Sequence, residues 1–208
     1  MPARPFARRH FCLVAAGMAA LAASGAARAQ APQTVRIRAT IDTVDAQSLS
    51  LTTRAGDKIT VALAPDTTVT ALVSIKLEDI KPGSFIGSAA MPQPDGTQRA
   101  LEVHVFPEAM RGTGEGHRPF DLQPQSTMTN GTVGAVTGSV GRTLTVSYKG
   151  GEKTIVVPPD TPVVTYEPGS MALLVAGAHV IIFGTQGADS KVTANRIAVG
   201  KNGLVPPM

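Results

Sequence analysis

Thr60-Val61-Ala62-Leu63-Ala64-Pro65-Asp66-Thr67-Thr68-Val69 returns downstream as Thr154-Ile155-Val156-Val157-Pro158-Pro159-Asp160-Thr161-Pro162-Val163. Pro-Asp-Thr stands at the same place in both stretches, flanked in register by a threonine and a valine. The same spacing pairs Gly83 with Gly177, Asp95 with Asp189, Ala100 with Ala194 and Val105 with Val199. Conservative pairs fill the gaps: Ile80 with Leu174, Ile86 with Val180, Val103 with Ile197. Upstream, Leu49 and Leu51 align with Leu144 and Val146 after a small shift in a turn. Chance does not sustain so many matches in one register, so the chain reads as one unit written twice. Two copies of about 70 residues are too few for a solenoid, which needs three or more repeats, and suit two small domains in tandem.

Within each copy the apolar residues alternate. Val35, Ile37, Ala39 and Ile41 show the period of two that a half-buried strand needs. Strands are expected at 48–54 and 58–63 around the turn residues Ala55-Gly56-Asp57, then at 69–73. Leu77-Glu78-Asp79-Ile80 allows one helical turn, stopped by Lys81-Pro82-Gly83, before a last pair at 84–91 and 97–106. The second copy repeats the pattern at 133–137, 144–148, 154–157, 163–166, 179–183 and 192–199. The expected fold is all-β: two tandem small OB- or SH3-like β-barrels, with a sandwich as the second choice. The expected boundaries are 33–107 for the first barrel, 108–128 for a Gly- and Pro-rich linker, 129–200 for the second barrel and 201–208 for a tail.

The Gly56-Asp57-Lys58 hairpin, Pro65-Asp66-Thr67, the run from Leu77 to Gly87 and the linker from Phe106 to His117 resemble small bacterial exported β-barrel domains grouped as a domain of unknown function. Some of the long, two-copy proteins of that kind carry the label of a metal ABC transporter permease. The resemblance implies an exported barrel protein and brings no defined activity. A permease needs several spans, and no apolar run of about 20 residues follows the N-terminal one.

Charge points away from nucleic acid. There are 19 Lys and Arg against 15 Asp and Glu, but Arg4, Arg8, Arg9 and Arg28 all fall in the first 30 residues, which hold no acid. Setting those four aside leaves 15 of each sign, so no basic footprint remains for nucleic acid. Residues 1–29 read as a cleavable signal: arginines first, an apolar run from Phe11 to Gly25, then Ala27-Arg28-Ala29 before the cut. Arg8-Arg9-His10-Phe11-Cys12-Leu13 resembles a twin-arginine export signal, with an ordinary secretory signal as the alternative. The mature chain is expected in the periplasm or secreted, without a transmembrane segment. It loses Cys12, the only cysteine, and with it any disulfide or thiolate chemistry.

Candidate chemistry gathers in the linker. Arg111, Gly112, Gly114 and Arg118 could turn backbone N–H groups and guanidiniums towards a small anion. Glu115, His117 and Asp121 with Met110 and Met128 offer a mixed ligand set suited to copper or zinc. A plain flexible spacer, whose glycines and prolines merely prevent structure, is the first choice for this stretch, with anion binding second and metal third. Glu102 and His104 alternate with apolar neighbours and read as polar residues on a solvated strand face, and His179 falls where the first copy has Phe85 and reads as packing. No HExxH or nucleophile motif occurs, so catalysis is not expected. The functional expectation is an exported binding or assembly module whose partner is a small anion, a metal or an envelope protein. A periplasmic metal-handling accessory protein, with ligands from the linker, is the alternative.

Overall fold

The computed structural model describes residues 33–137 and 142–208, so the export signal expected at 1–29 lies outside the described residues. Three strands open the chain: β1 (Gln33–Val44), β2 (Ser48–Thr53) and β3 (Lys58–Ser74). A single 3-10 turn at Leu77–Asp79 leads to β4 (Phe85–Pro92), β5 (Gln98–Ala100) and β6 (Val103–Val105). A second such turn at Glu108–Met110 and the short β7 (Gly116–Pro119) precede β8 (Thr127–Thr137), β9 (Thr143–Tyr148), β10 (Gly151–Val156) and β11 (Val163–Pro168). After a turn at Met171–Leu173 come β12 (His179–Gln186) and β13 (Val192–Gly200). The fold is all-β, with no α-helix among the described residues and no helix long and apolar enough to cross a membrane.

The strands lie close to where alternation puts them, but they do not close half by half. β1, β2 and β3 form an antiparallel meander. Their ring is completed by β12, antiparallel on β1, and by β13, parallel to β3. β8, β9 and β10 are completed in the same way by β4, antiparallel on β8, and by β5, parallel to β10. Each five-stranded ring therefore takes three strands from one half of the chain and a hairpin from the other. Antiparallel pairing of β3 with β11, from Thr70 opposite Pro168 to Ser74 opposite Val164, joins both rings into one thirteen-stranded sheet. This differs from two barrels closed consecutively over 33–107 and 129–200. The physical reason lies in β3, which runs unbroken to Ser74 and carries the chain across to the other ring before the turn at Leu77. Pro65-Asp66-Thr67 is a bulge inside that strand, where Pro needs no ladder partner, and Thr67 Oγ1 fastens it to the Ala64 and Ala194 carbonyls, both at 2.8 Å.

Packing follows the rings. Ile41, Leu49, Leu51 and Val61 meet Val180, Ile182, Ile197 and Val199 in the first core, with Leu174 as a plug. Val133, Leu144, Val146 and Ile155 meet Ile86, Ala100 and Val103 in the second, with Leu77 and Ile80 as plugs. A third cluster of Leu72, Val164, Ile181, Ala198 and Met208 lies at the junction, so residues 201–208 are packed against the sheet through Met208. Burial of these side chains at roughly 1.5–3 kcal/mol each is the main stabilising force in a chain whose described residues contain no cysteine.

Candidate functional site

Between β5 and β6 the hairpin bulges: Leu101 and Glu102 both donate their N–H to the Ala89 carbonyl, at 2.8 and 3.3 Å. The extra residue re-aims a side chain. Glu102 is fully buried, and its Oε1 accepts the Ala89 N–H at 2.7 Å while Oε2 lies 3.0 Å from His104 Nδ1. The solvated face expected for Glu102 and His104 is therefore corrected: both are buried, because β6 lies between β4 and β11 and the rings of Phe106 and Tyr166 cover His104. A carboxylate that accepts from a backbone N–H and from Nδ1 makes the neutral imidazole the Nδ1–H tautomer, leaving Nε2 as an acceptor. Removing a carboxylate from water is expensive, and this one is compensated by both hydrogen bonds.

His104 stands directly opposite Gly87 on β4. A Cβ at Gly87 would collide with the His104 ring and with Asn130 Oδ1, so only glycine fits there. Asn130, on β8, is opposite Gly87 on the other side. Its Nδ2 donates to the Thr113 carbonyl at 2.9 Å; since a carbonyl only accepts, this bond sets the orientation of the amide. Asn130 Oδ1 is then left buried with no hydrogen-bond partner among the described residues. An orphaned buried acceptor costs about 1–3 kcal/mol unless something supplies a donor.

These groups border a cavity of ≈ 100 Å³ between the two rings. Phe106, Phe120, Tyr166 and Phe183 give it aromatic walls, and Met128 and Met208 add apolar surface. Three guanidiniums reach it, from Arg36 on β1, Arg118 on β7 and Arg196 on β13, and no carboxylate does. Arg36 pairs with Asp121 at 2.9 Å and lies over the Phe120 ring at 4.8 Å. Arg196 lies over Phe183 at 4.1 Å. Arg118 donates to the Gly114 carbonyl at 2.6 Å. Neither Arg118 nor Arg196 has a carboxylate partner among the described residues. The Tyr166 hydroxyl is pushed up to about 12, by burial first and by the Glu102 charge second, so it stays a neutral donor.

The linker is ordered by hydrogen bonds, in contrast to a free spacer: β7 pairs with β8 from Gly116 opposite Asn130 to Pro119 opposite Thr127. Of the four residues expected to hold an anion, Gly114 and Arg118 line the cavity, whereas Arg111 and Gly112 do not. Gly114 adopts a positive φ, and a Cβ there would crowd Arg118 and Asn130. Arg111 is taken up by Glu108 and the Gly83 carbonyl. The expected copper or zinc ligands are spread apart. Glu115 accepts the Lys149 N–H at 2.9 Å, His117 Nδ1 meets Thr129 Oγ1 at 2.8 Å, and Asp121 is clamped by Arg36 and Arg38. Met128 is buried opposite Ala89, Met110 is half-buried on the 3-10 turn, and no three His, Cys, Asp or Glu residues among the described ones are placed to share a metal. Hydrogen bonds from Arg38 hold Asp121 at about 2, and burial followed by the Lys153 charge keeps His117 below the ordinary histidine range.

A second cavity of ≈ 170 Å³, bordered by Arg38, Thr40, Arg54, His179 and Pro206, is larger but chemically occupied. His179 Nδ1 is 2.9 Å from Thr40 Oγ1, Arg54 donates to the Pro206 carbonyl at 2.7 Å, and Arg38 serves Asp121 and the Met208 backbone oxygen. The cavity with the orphaned acceptor is the stronger site. Sequence reasoning missed Glu102, His104, Asn130, Arg36 and Arg196, which come from four different strands or their bulges. The one local signal was Gly87 in an otherwise filled strand, since an isolated strand glycine marks a close approach. No family model matches the chain, and neither a curated protein nor a solved structure matches it.

Proposed function

We propose that the protein is an exported binding module that holds a small anionic ligand in the cavity between its two rings. The observation that carries this reading is the cavity's charge: three guanidiniums border it, two of them without a carboxylate partner among the described residues, and no acid is among its lining residues. Like charges held together at a partly desolvated surface repel one another, and an anion relieves that repulsion with charge-assisted hydrogen bonds. Aromatic walls add an apolar body to the requirement, the usual make-up of a small-molecule site. The linker belongs to this reading, since Gly114 and Arg118 close one side of the cavity. Export rests on the sequence at 1–29, which favours a twin-arginine route to the periplasm. The matched spacing of the two halves supports descent from a duplicated unit that exchanges its last hairpin.

Calorimetric titration of the processed protein with acetate, propionate, lactate, phosphate and sulfate at pH 7.5 tests the binding reading. At least one of these is expected to bind, with affinity falling tenfold or more in Arg118→Gln and in Arg196→Gln. Absence of heat with all five, or binding indifferent to both variants, would remove the anion reading. Changing Arg8 and Arg9 to Lys is expected to leave precursor unprocessed in the cytoplasm; normal processing would remove the twin-arginine route.

A further inference from the structure

Resting on that anion-binding reading, we infer that the ligand is an oxyanion carrying its own O–H group, best met by a small hydroxycarboxylate whose hydroxyl hydrogen bonds to Asn130 Oδ1. The guanidiniums account for negative charge but not for the acceptor beside them. Asn130 is more than nine-tenths buried and borders the cavity, its Oδ1 has no hydrogen-bond partner among the described residues, and its own Nδ2 serves Thr113. His104 Nδ1 is committed to Glu102. With Nδ1 bound to the carboxylate, the other ring nitrogen, Nε2, lies with Asn130 Oδ1 close against Gly87. One corner of the cavity is thus rich in guanidinium donors and another in acceptors, a polarity that a donor-free anion satisfies only in part.

Size and charge narrow the class. At roughly 30 Å³ per water, ≈ 100 Å³ is the room of about three waters, which limits the ligand to a small anion. A hydroxyl suits the acceptor corner better than an ammonium, because Arg36, Arg118 and Arg196 would repel a cation. The aromatic and methionine walls favour a carbon skeleton over a bare inorganic ion, although hydrogen phosphate offers the same pairing of negative charge with an O–H donor.

Two matched pairs of probes separate these sources: lactate against propionate, and phosphate against sulfate, each pair differing in the O–H donor. Titrated into the processed protein at pH 7.5, lactate is expected to bind at least tenfold tighter than propionate. In Asn130→Ala that ratio is expected to collapse towards one, with propionate affinity little changed. Preference for phosphate over sulfate without lactate binding would support the shared chemistry and make the source inorganic. Equal affinity within both pairs would overturn this inference while leaving the anion reading in place, whereas failure of all four probes to bind would overturn both. Should Asn130→Ala not fold, the wild-type ratios alone still decide, and Gly87→Ala, which pushes against both acceptors, is the second variant, expected to lower lactate affinity more than propionate affinity.

Discussion

Matching rows of residues cross the two rings, and they are built from opposite materials. In the first ring Arg38, Ile181, Ala198 and Thr70 stand side by side on β1, β12, β13 and β3. The matching row starts in the second ring with Asn130 and Gly87 on β8 and β4 and continues outside it with His104 and Val164 on β6 and β11. The bulk is exchanged between the central strands: a large residue faces a small one in both rows, but in opposite order. Ile181 and Ala198 join the third apolar cluster, whereas Gly87 makes room for an imidazole and its buried carboxylate. A cross-strand pair needs only its summed volume to suit the packing, so one architecture can use the same place for packing in one ring and for polar chemistry in the other.

The largest expected break in this comparison is His104→Ala. It leaves Glu102 as a buried charge without its partner and is expected to cost about 3–5 kcal/mol in urea unfolding. Adding Glu102→Gln, which keeps an acceptor for the Ala89 N–H, should recover a good part of that loss. If the double variant is no more stable than the single one, the buried pair is not what the alanine disrupts. Next is Gly87→Ala, where the new methyl group meets His104 and Asn130 Oδ1, at about 1–3 kcal/mol for overpacking. Combined with His104→Ala and Glu102→Gln, the same methyl group no longer meets the imidazole, and its cost should fall to the smaller share set by Asn130 Oδ1. Persistence of the full cost in that background would mean that the glycine serves the backbone instead.

The first ring supplies the smaller contrasts. Ile181→Val removes one methyl group from an apolar contact and is expected to cost about 0.5–1.5 kcal/mol, with no effect on anion titration. A change in anion affinity there would erase the division of labour between the rows. Of similar size is Asp121→Asn, which frees the linker from Arg36 and Arg38. Asp121 is more than half exposed, although Arg38 is mostly buried, so the expected loss is about 1 kcal/mol. Its pH dependence is more telling than its size. Since Arg38 holds the Asp121 carboxyl at about 2, the contribution is present above the ordinary carboxylate range and fades as pH falls towards 2. Wild type and variant should therefore converge in stability between about pH 4 and pH 2. A gap unchanged over that interval would assign the linker's order to the pairing of β7 with β8 instead.

What the chain's own sequence determined was local. Period-two alternation placed β1, β2, β4, β9 and β12 to within a few residues, because which face of a strand is apolar is written in adjacent side chains. The turns at Ala55-Gly56-Asp57 and Lys81-Pro82-Gly83 were equally legible, since a tight turn depends on a few backbone torsions. The matched halves themselves hid the closure of the rings: two hairpins with nearly the same apolar pattern satisfy either ring, and no local feature says which one each accepts. Tertiary structure decided it through β3, which continues through the Pro65 bulge and delivers the chain to the far ring. The site was hidden for a related reason. Glu102 and His104 follow the spacing of a solvated face, and their burial comes from β4, β11 and the aromatic rings packed over them. Arg36, Arg118 and Arg196 are 160 residues apart from first to last in the chain and meet only because the hairpins are exchanged. Alternation specifies a face; which face meets which is a property of the whole assembly of strands, where burial and pairing are settled together.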